Sequence, residues 1–163
     1  MRKIIAEPVE PSSATTDESA GKSGDWLDLK KVAEVEVSSE HPEHPIENAF
    51  QADAPTGWRA AKKGQQTIRL FFDHPFDLKR IRLCFMEPDL ERTHEFALSW
   101  APSKPGPYHL IVRQQWNFNP QNSTEEVEDY QVNLHAVRAL ELVIRPDVGR
   151  GQALASLLRW AVA

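Results

Sequence analysis

From residue 33 to residue 144 the apolar positions fall on every second residue, in one short run after another. Ala33, Val35 and Val37 alternate with Glu34, Glu36 and Ser38. Ile68, Leu70 and Phe72 flank Arg69 and Phe71, and Ile81, Leu83 and Phe85 flank Arg82 and Cys84. Phe96, Leu98 and Trp100 alternate with Glu95, Ala97 and Ser99. Leu110, Val112, Trp116 and Phe118 share one parity, with His109, Arg113 and Gln115 on the other. Tyr130, Val132 and Leu134, then Leu140, Leu142 and Ile144, continue the pattern. A period of two predicts strands with one apolar and one wet face. Turn-forming residues separate the runs: Asp73-His74-Pro75, Glu87-Pro88-Asp89, Pro102 to Pro107, Asn119-Pro120-Gln121-Asn122 and Pro146-Asp147. Pro45 to Gln51 reads as a short helical turn, because proline suits a first helical position. Leu154 to Val162 fits a helix by length and a strand by the parity of Leu158, Trp160 and Val162, and stays open between them. About eight antiparallel strands with regular turns predict an all-β jelly-roll sandwich.

Composition sharpens this picture at the N-terminus. Residues 1–24 hold no aromatic residue, four serines and two prolines, too little apolar surface to offset ordering entropy. They are expected to form a flexible tail, with residues 25–163 as a single β-sandwich domain. The opening MRKII run meets Glu7, Pro8 and Glu10 before a signal-type apolar region forms, so a cytoplasmic chain is expected. No apolar run nears the roughly 18 residues that cross a bilayer. The net charge of −5 gives no footprint for general nucleic-acid binding. The single Cys84 excludes an internal disulfide and a multi-cysteine zinc site. Its strand setting makes inert packing its default role, with Arg80 and Arg82 on the same face.

The order of elements resembles the discoidin, or coagulation-factor type C, domain. The residues carrying the likeness are Ala33 to Glu40, Pro45-Ile46-Glu47-Asn48-Ala49-Phe50 and Thr56-Gly57-Trp58-Arg59-Ala60. Gln66 to Leu70, Leu78 to Phe85, Pro105-Gly106-Pro107-Tyr108 and Ala136 to Ile144 extend it over most of residues 33–163. The resemblance implies a galactose-binding-like jelly roll and recognition of a carbohydrate through loops at one end of the sandwich. It also implies a core role for Trp58. The family often carries a structural calcium ion. Here Gln51-Ala52 replaces the family's Asp-Gly, and Ala155-Ser156-Leu157 offers no acid, which leaves Asp53 and Thr56 as remnants. Calcium takes six to eight oxygens, so no metal and no other cofactor is expected.

Candidate ligand-binding residues are Arg59, Arg113, Trp116, Asn117, Phe118 and His41. In Arg113 to Asn119, an exposed Trp116 or Phe118 would stack on a sugar while Arg113 and Asn117 bind hydroxyls. The competing reading continues the inward parity and puts both rings in the core. Arg59 clamps a carboxylate, either Glu47 or Asp53 inside the protein or one on a ligand. His41 and His44 lie three apart between prolines, a loop spacing that needs further donors to hold a metal. His94 is read as a surface or turn position, and Thr124 to Asp129 as a solvated turn. No Gly-x-Ser-x-Gly elbow or phosphate-cradling glycine loop is present, so no enzymatic activity is expected. The expected function is non-catalytic binding of a carbohydrate, with a cytosolic protein–protein interaction module as the alternative.

Overall fold

The computed structural model describes residues 1–5, 26–104, 106–149 and 151–163. Its strands are β1 (Arg2–Ile5), β2 (Ala33–Val37), β3 (Trp58–Lys63), β4 (Gln66–Met86), β5 (Arg92–Ala101), β6 (His109–Phe118), β7 (Glu125–Arg145), β8 (Leu154–Leu157) and β9 (Arg159–Val162). A short helix α1 (Leu29–Val32) precedes β2, and a 3-10 helix covers Ile46–Phe50, where a helical turn was expected.

Two strands of 21 residues, β4 and β7, organise the fold. Gln66 to Phe71 pair with Ile144 to Ala139, and this half of the ladder is flanked by β2 and β5. Arg80 to Met86 pair with Gln131 to Glu125, and β9 flanks this half on β4. Between Phe71 and Arg80 the register shifts three times, and Ala136 on the partner strand adopts φ 53°. Bulges of this kind bend strands and increase their twist. They also change which parity faces inward. Ile68, Leu70 and Phe72 are buried before the bend, and Ile81, Leu83 and Phe85 after it. The two halves therefore face each other across one core. Phe85 of one layer stacks on Phe96 of the other at 5.1 Å. The expected all-β jelly-roll sandwich is the fold found. β3 and β8 form a separate two-stranded ladder.

Several details differ from the sequence reading. Among the described residues nine strands form, and β1 pairs with β2 in parallel where antiparallel pairing was expected throughout. Arg2 to Ile5, expected within the flexible tail, form an edge strand held by charge as much as by burial. Lys3 Nζ donates to Glu40 and Glu47 at 2.8 Å each, and Arg2 pairs with Asp73. The rest of the tail assignment, residues 6–24, lies outside the described residues. Asp73-His74-Pro75 marks the bend rather than a chain reversal, because the strand runs on through it. The open reading of Leu154 to Val162 resolves to strands β8 and β9.

Side chains knit the end of β2 to β3 and β4. Ser38 and Ser39 hydroxyls donate to Gln66 Oε1 at 2.6 and 2.8 Å, and Ser39 Oγ accepts from the Ala61 N–H. Trp58 is buried and donates its indole N–H to the Ser39 carbonyl at 3.2 Å, the core role the resemblance implied. Beside it, Gly57 lies against β8. A Cβ there would sit 2.1 Å from the Leu157 carbonyl oxygen. Gly57→Ala is therefore expected to cost about 1–3 kcal/mol through forced backbone shifts. Urea unfolding of the variant checks this, and an unchanged midpoint would remove the close-approach argument.

Candidate functional site

Strand β6 splits the expected aromatic–polar site between two faces. Phe118 is 1% exposed, so it cannot stack on a ligand. Its inward parity wins because its ring lies 5.3 Å from His94, with Arg92 over its face. Trp116 lies opposite His94 in the β5–β6 ladder, half-buried against the core. Its indole N–H is buried without an acceptor. Arg113 and Asn117 point the other way, and Asn117 accepts a hydrogen bond from Thr93 at 2.6 Å. These four residues do not converge on one patch.

His41 and Arg59 are brought together by backbone instead. The His41 N–H donates to the Arg59 carbonyl at 2.8 Å, and the Arg59 N–H donates to the His44 carbonyl at 3.1 Å. The His41 and His44 rings lie 5.5 Å apart, and His41 Nδ1 accepts from the Glu43 N–H. Among the described residues no group of three or more histidine, cysteine or acidic side chains is arranged to hold a metal ion. The internal clamp expected for Arg59 does not form. Glu47 is engaged by Lys3, and Asp53 is exposed on the loop.

A polar cluster sits where the sequence reading placed surface and solvent. His94 of β5 and Glu126 of β7 take inward positions on opposite layers, with side chains 2% and 0% exposed. His94 Nε2 and Glu126 Oε2 are 2.8 Å apart but not aligned for a hydrogen bond. Burial and the nearby Arg92 charge pull His94 down to about 3, and burial pushes the Glu126 carboxyl up. At neutral pH the His94 imidazole is uncharged, so this contact is not an ion pair. Burial and the adjacent Glu126 carboxyl push Glu128 up to about 7. Tyr130 donates to Glu128 Oε2 at 3.1 Å, and burial with the Glu128 carboxyl raises its phenol. Behind them Arg92 lies 3.5 Å from Glu87, both buried, and donates to the Pro146 and Leu154 carbonyls. Parity was the missed signal: His94 shares it with Phe96 and Leu98, and Glu126 shares it with Tyr130 and Val132. Cys84 is buried nearby on β4, and burial raises its thiol pKa, as inert packing requires.

A sequence model described as the XRCC1 N terminal domain matches residues 27–140. The chain belongs to this family. Among solved structures, the family 32 CBM from C. perfringens NanJ in complex with galactose superposes with a TM-score of 0.62 at 13% identity. That match covers 84% of this chain and 96% of that one. CpGH89CBM32-5 from Clostridium perfringens, in complex with GalNAc-beta-1,3-galactose, gives 0.63 at 15%, covering 85% and 99%. The CBM32 of AlyQ, in complex with 4,5-unsaturated mannuronic acid, gives 0.59 at 17%, covering 79% and 92%. At these identities the likeness shows the fold alone. A search of curated proteins finds no match.

This member of the XRCC1 N terminal family holds its 48–56 loop with a side-chain cation. The Arg159 guanidinium donates to the carbonyls of Asn48 at 3.1 Å, Ala52 at 3.1 Å and Ala54 at 2.5 Å. Thr56 Oγ1 accepts from Asn48 Nδ2 at 3.3 Å. The loop does not suit a calcium ion. Three carbonyls that would serve as donors already face a guanidinium, whose charge repels a second cation.

Two predictions follow from these geometries. Arg159→Met leaves three loop carbonyls without their donor and is expected to lower stability by about 1–3 kcal/mol. Faster hydrogen exchange confined to residues 48–56 would confirm the cause; an unchanged exchange pattern would refute it. Glu128 carries a folded pKa of about 7 against 4.5 for an ordinary glutamate. The folded state therefore binds this proton more tightly than the unfolded state. The stabilisation is complete below the unfolded value and is lost as pH rises through 7. Glu128→Gln is expected to gain in Tm relative to the parent between pH 5 and pH 8, and a pH-independent difference would contradict the shift.

Proposed function

We propose that this chain is a non-catalytic docking module whose partner is a protein, engaged along the outer edge of β6. One observation carries the reading. β6 is a ten-residue strand paired on one side only among the described residues, to β5. Its other edge offers a row of free backbone N–H and C=O groups, a template for an added strand. Edge strands are commonly blunted by proline, lysine or inward charges. Here His109 to Phe118 contain neither proline nor lysine, and Leu110 is 57% exposed. Backbone pairing would supply affinity and side chains beside the edge specificity. On the outer face Glu95 joins Arg145 and Gln115, at 3.6 and 2.9 Å, next to Arg113.

Carbohydrate binding is the second reading, and it has its own support. Trp26 is 41% exposed at a groove of about 380 Å³ that Arg82, Glu125 and Arg159 also line. An exposed indole flanked by donors and an acceptor is the equipment a sugar needs. Arg80 competes for it, since its guanidinium lies 4.9 Å from the Trp26 ring centre. The solved neighbours hold galactose, GalNAc-beta-1,3-galactose and an unsaturated uronic acid, and what they bind belongs to them. A cytoplasmic setting is part of the proposal, and the unpaired, buried Cys84 supports a reducing compartment.

The test compares the parent chain with Leu110→Lys in affinity capture from native extract and on a glycan array. A protein retained by the parent, and retained about tenfold less by the variant at unchanged Tm, supports edge docking. Saturable glycan binding that Leu110→Lys leaves intact, with no captured protein, would transfer the assignment to the second reading.

A further inference from the structure

We propose that Arg59 anchors a carboxylate side chain of a partner peptide in a small groove at the junction of β3, β8 and the end of β4. This rests on the protein-docking reading and adds a second contact away from β6. The groove is lined by His44, Thr56, Arg59, Met86, Pro88 and Ser156, among others, and encloses about 160 Å³. Whole small-molecule sites run to about 300–1,000 Å³, so this space fits one side chain rather than a separate ligand.

The backbone fixes where Arg59 starts. It is paired with Ser156 across the β3–β8 ladder, and its N–H and carbonyl are held by the 41–44 loop. Its neighbours Trp58 and Ala60 are buried, so Arg59 takes the opposite, groove-facing side of the strand. Its guanidinium has no hydrogen bond or ion pair among the described residues. Arg69 is engaged by Glu36 and Glu141, Arg80 by Asp129, Arg92 by Glu87 and Arg159 by carbonyls, whereas Arg113 and Arg138 share the open state of Arg59 among the described residues. A guanidinium with no acceptor in its own chain is free to take a carboxylate from outside it.

Charge around the groove points the same way. Arg59 lies close enough to Arg92 for its charge to be felt there, adding to the cost of Arg92's burial. Glu87 and Asp147 are the acids whose charge reaches Arg92, and Arg92 holds Glu87 in the interior. An incoming carboxylate on Arg59 would lessen the unfavourable effect of its charge on Arg92. Apolar surface adjoins the charge, since the exposed Met86 at the end of β4 and Pro88 on the following turn both line the groove. The fitting segment is therefore a glutamate or aspartate flanked by apolar residues, with the acid on Arg59 and an apolar neighbour on Met86.

The experiment titrates the full chain with a blocked Leu-Glu-Pro-Leu peptide and its Leu-Gln-Pro-Leu counterpart, followed by NMR. Saturable shifts at Gly57, the Arg59 side chain and the Met86 methyl are expected with the glutamate peptide. Binding should be at least about tenfold weaker for the glutamine peptide and for Arg59→Met, with Arg59→Lys in between. Arg59→Met must keep the parent's spectrum away from the groove; where it does not, Arg59→Gln replaces it. Equal affinity for both peptides, equal binding by the Arg59 variants, or no saturation by about 10 mM would overturn the proposal. Leu110→Lys should leave this titration unchanged. Failure at the groove and failure at the β6 edge are thus read separately.

Discussion

The sandwich depends on two long strands keeping apolar side chains inward through a bend. β4 and β7 belong to both layers, so an error in their shared register would turn a whole run of side chains to the wrong side. The bend solves a parity problem. Phe72 is inward by even count and Ile81 by odd count, and the register shifts between Phe71 and Arg80 absorb the difference. Neighbouring elements then dock on edges already placed. β2 and β5 flank one half and β9 the other, and Phe85 meets Phe96 between them.

At the β5 start of the sandwich the interior is not apolar, and this constrains everything near it. Arg92, His94, Glu126 and Glu128 occupy inward positions that an aliphatic residue would fill more cheaply. Burying separate charges there costs several kcal/mol each, as an order of magnitude. The cluster lowers that cost by keeping His94 uncharged and by tying Arg92 to Glu87 and two carbonyls. Trp116, opposite His94, is held against this cluster with its N–H unsatisfied. The edge strand proposed to dock a partner therefore rests on a base whose protonation changes near neutral pH. Further along the ladder the same inward face is carried by the Leu98–Val112 pair.

The fold was legible because its signal is local. Alternation such as Val35-Glu36-Val37 or Phe96-Ala97-Leu98 states both the strand and its inward face. What escaped depended on distant partners. β1 has only Ile4 and Ile5 as large apolar residues and owes its place to Glu40, Glu47 and Asp73, residues 37 to 71 positions away. The candidate site was harder still. Parity did place Trp116 and Phe118, but on the side that removes them from a ligand. The same parity put His94 and Glu126 inside, and their polar character argued against believing it. Arg59 and His41 are both candidates by residue type. That they share a backbone hydrogen bond could not be read from a spacing of eighteen residues, because only the return of β3 past the 41–44 loop brings them together.

The way the 48–56 loop is held separates this chain from a sandwich that borrows an ion. A bound metal makes a loop's order depend on ion concentration and proton competition. A guanidinium on β9 does neither, since it is part of the chain and stays charged at any physiological pH. The carbonyls of Asn48, Ala52 and Ala54 are thus satisfied as soon as β9 pairs with β4. The end of the molecule that carries the loop, Thr56 and the Arg59 groove is formed whenever the sandwich is formed. Preorganisation of this kind spares a partner the cost of ordering the loop. It also means that a chelator has no purchase on this loop. Any switch in binding must act through what remains adjustable: the partner's own charge at Arg59, or the protons shared beneath β6.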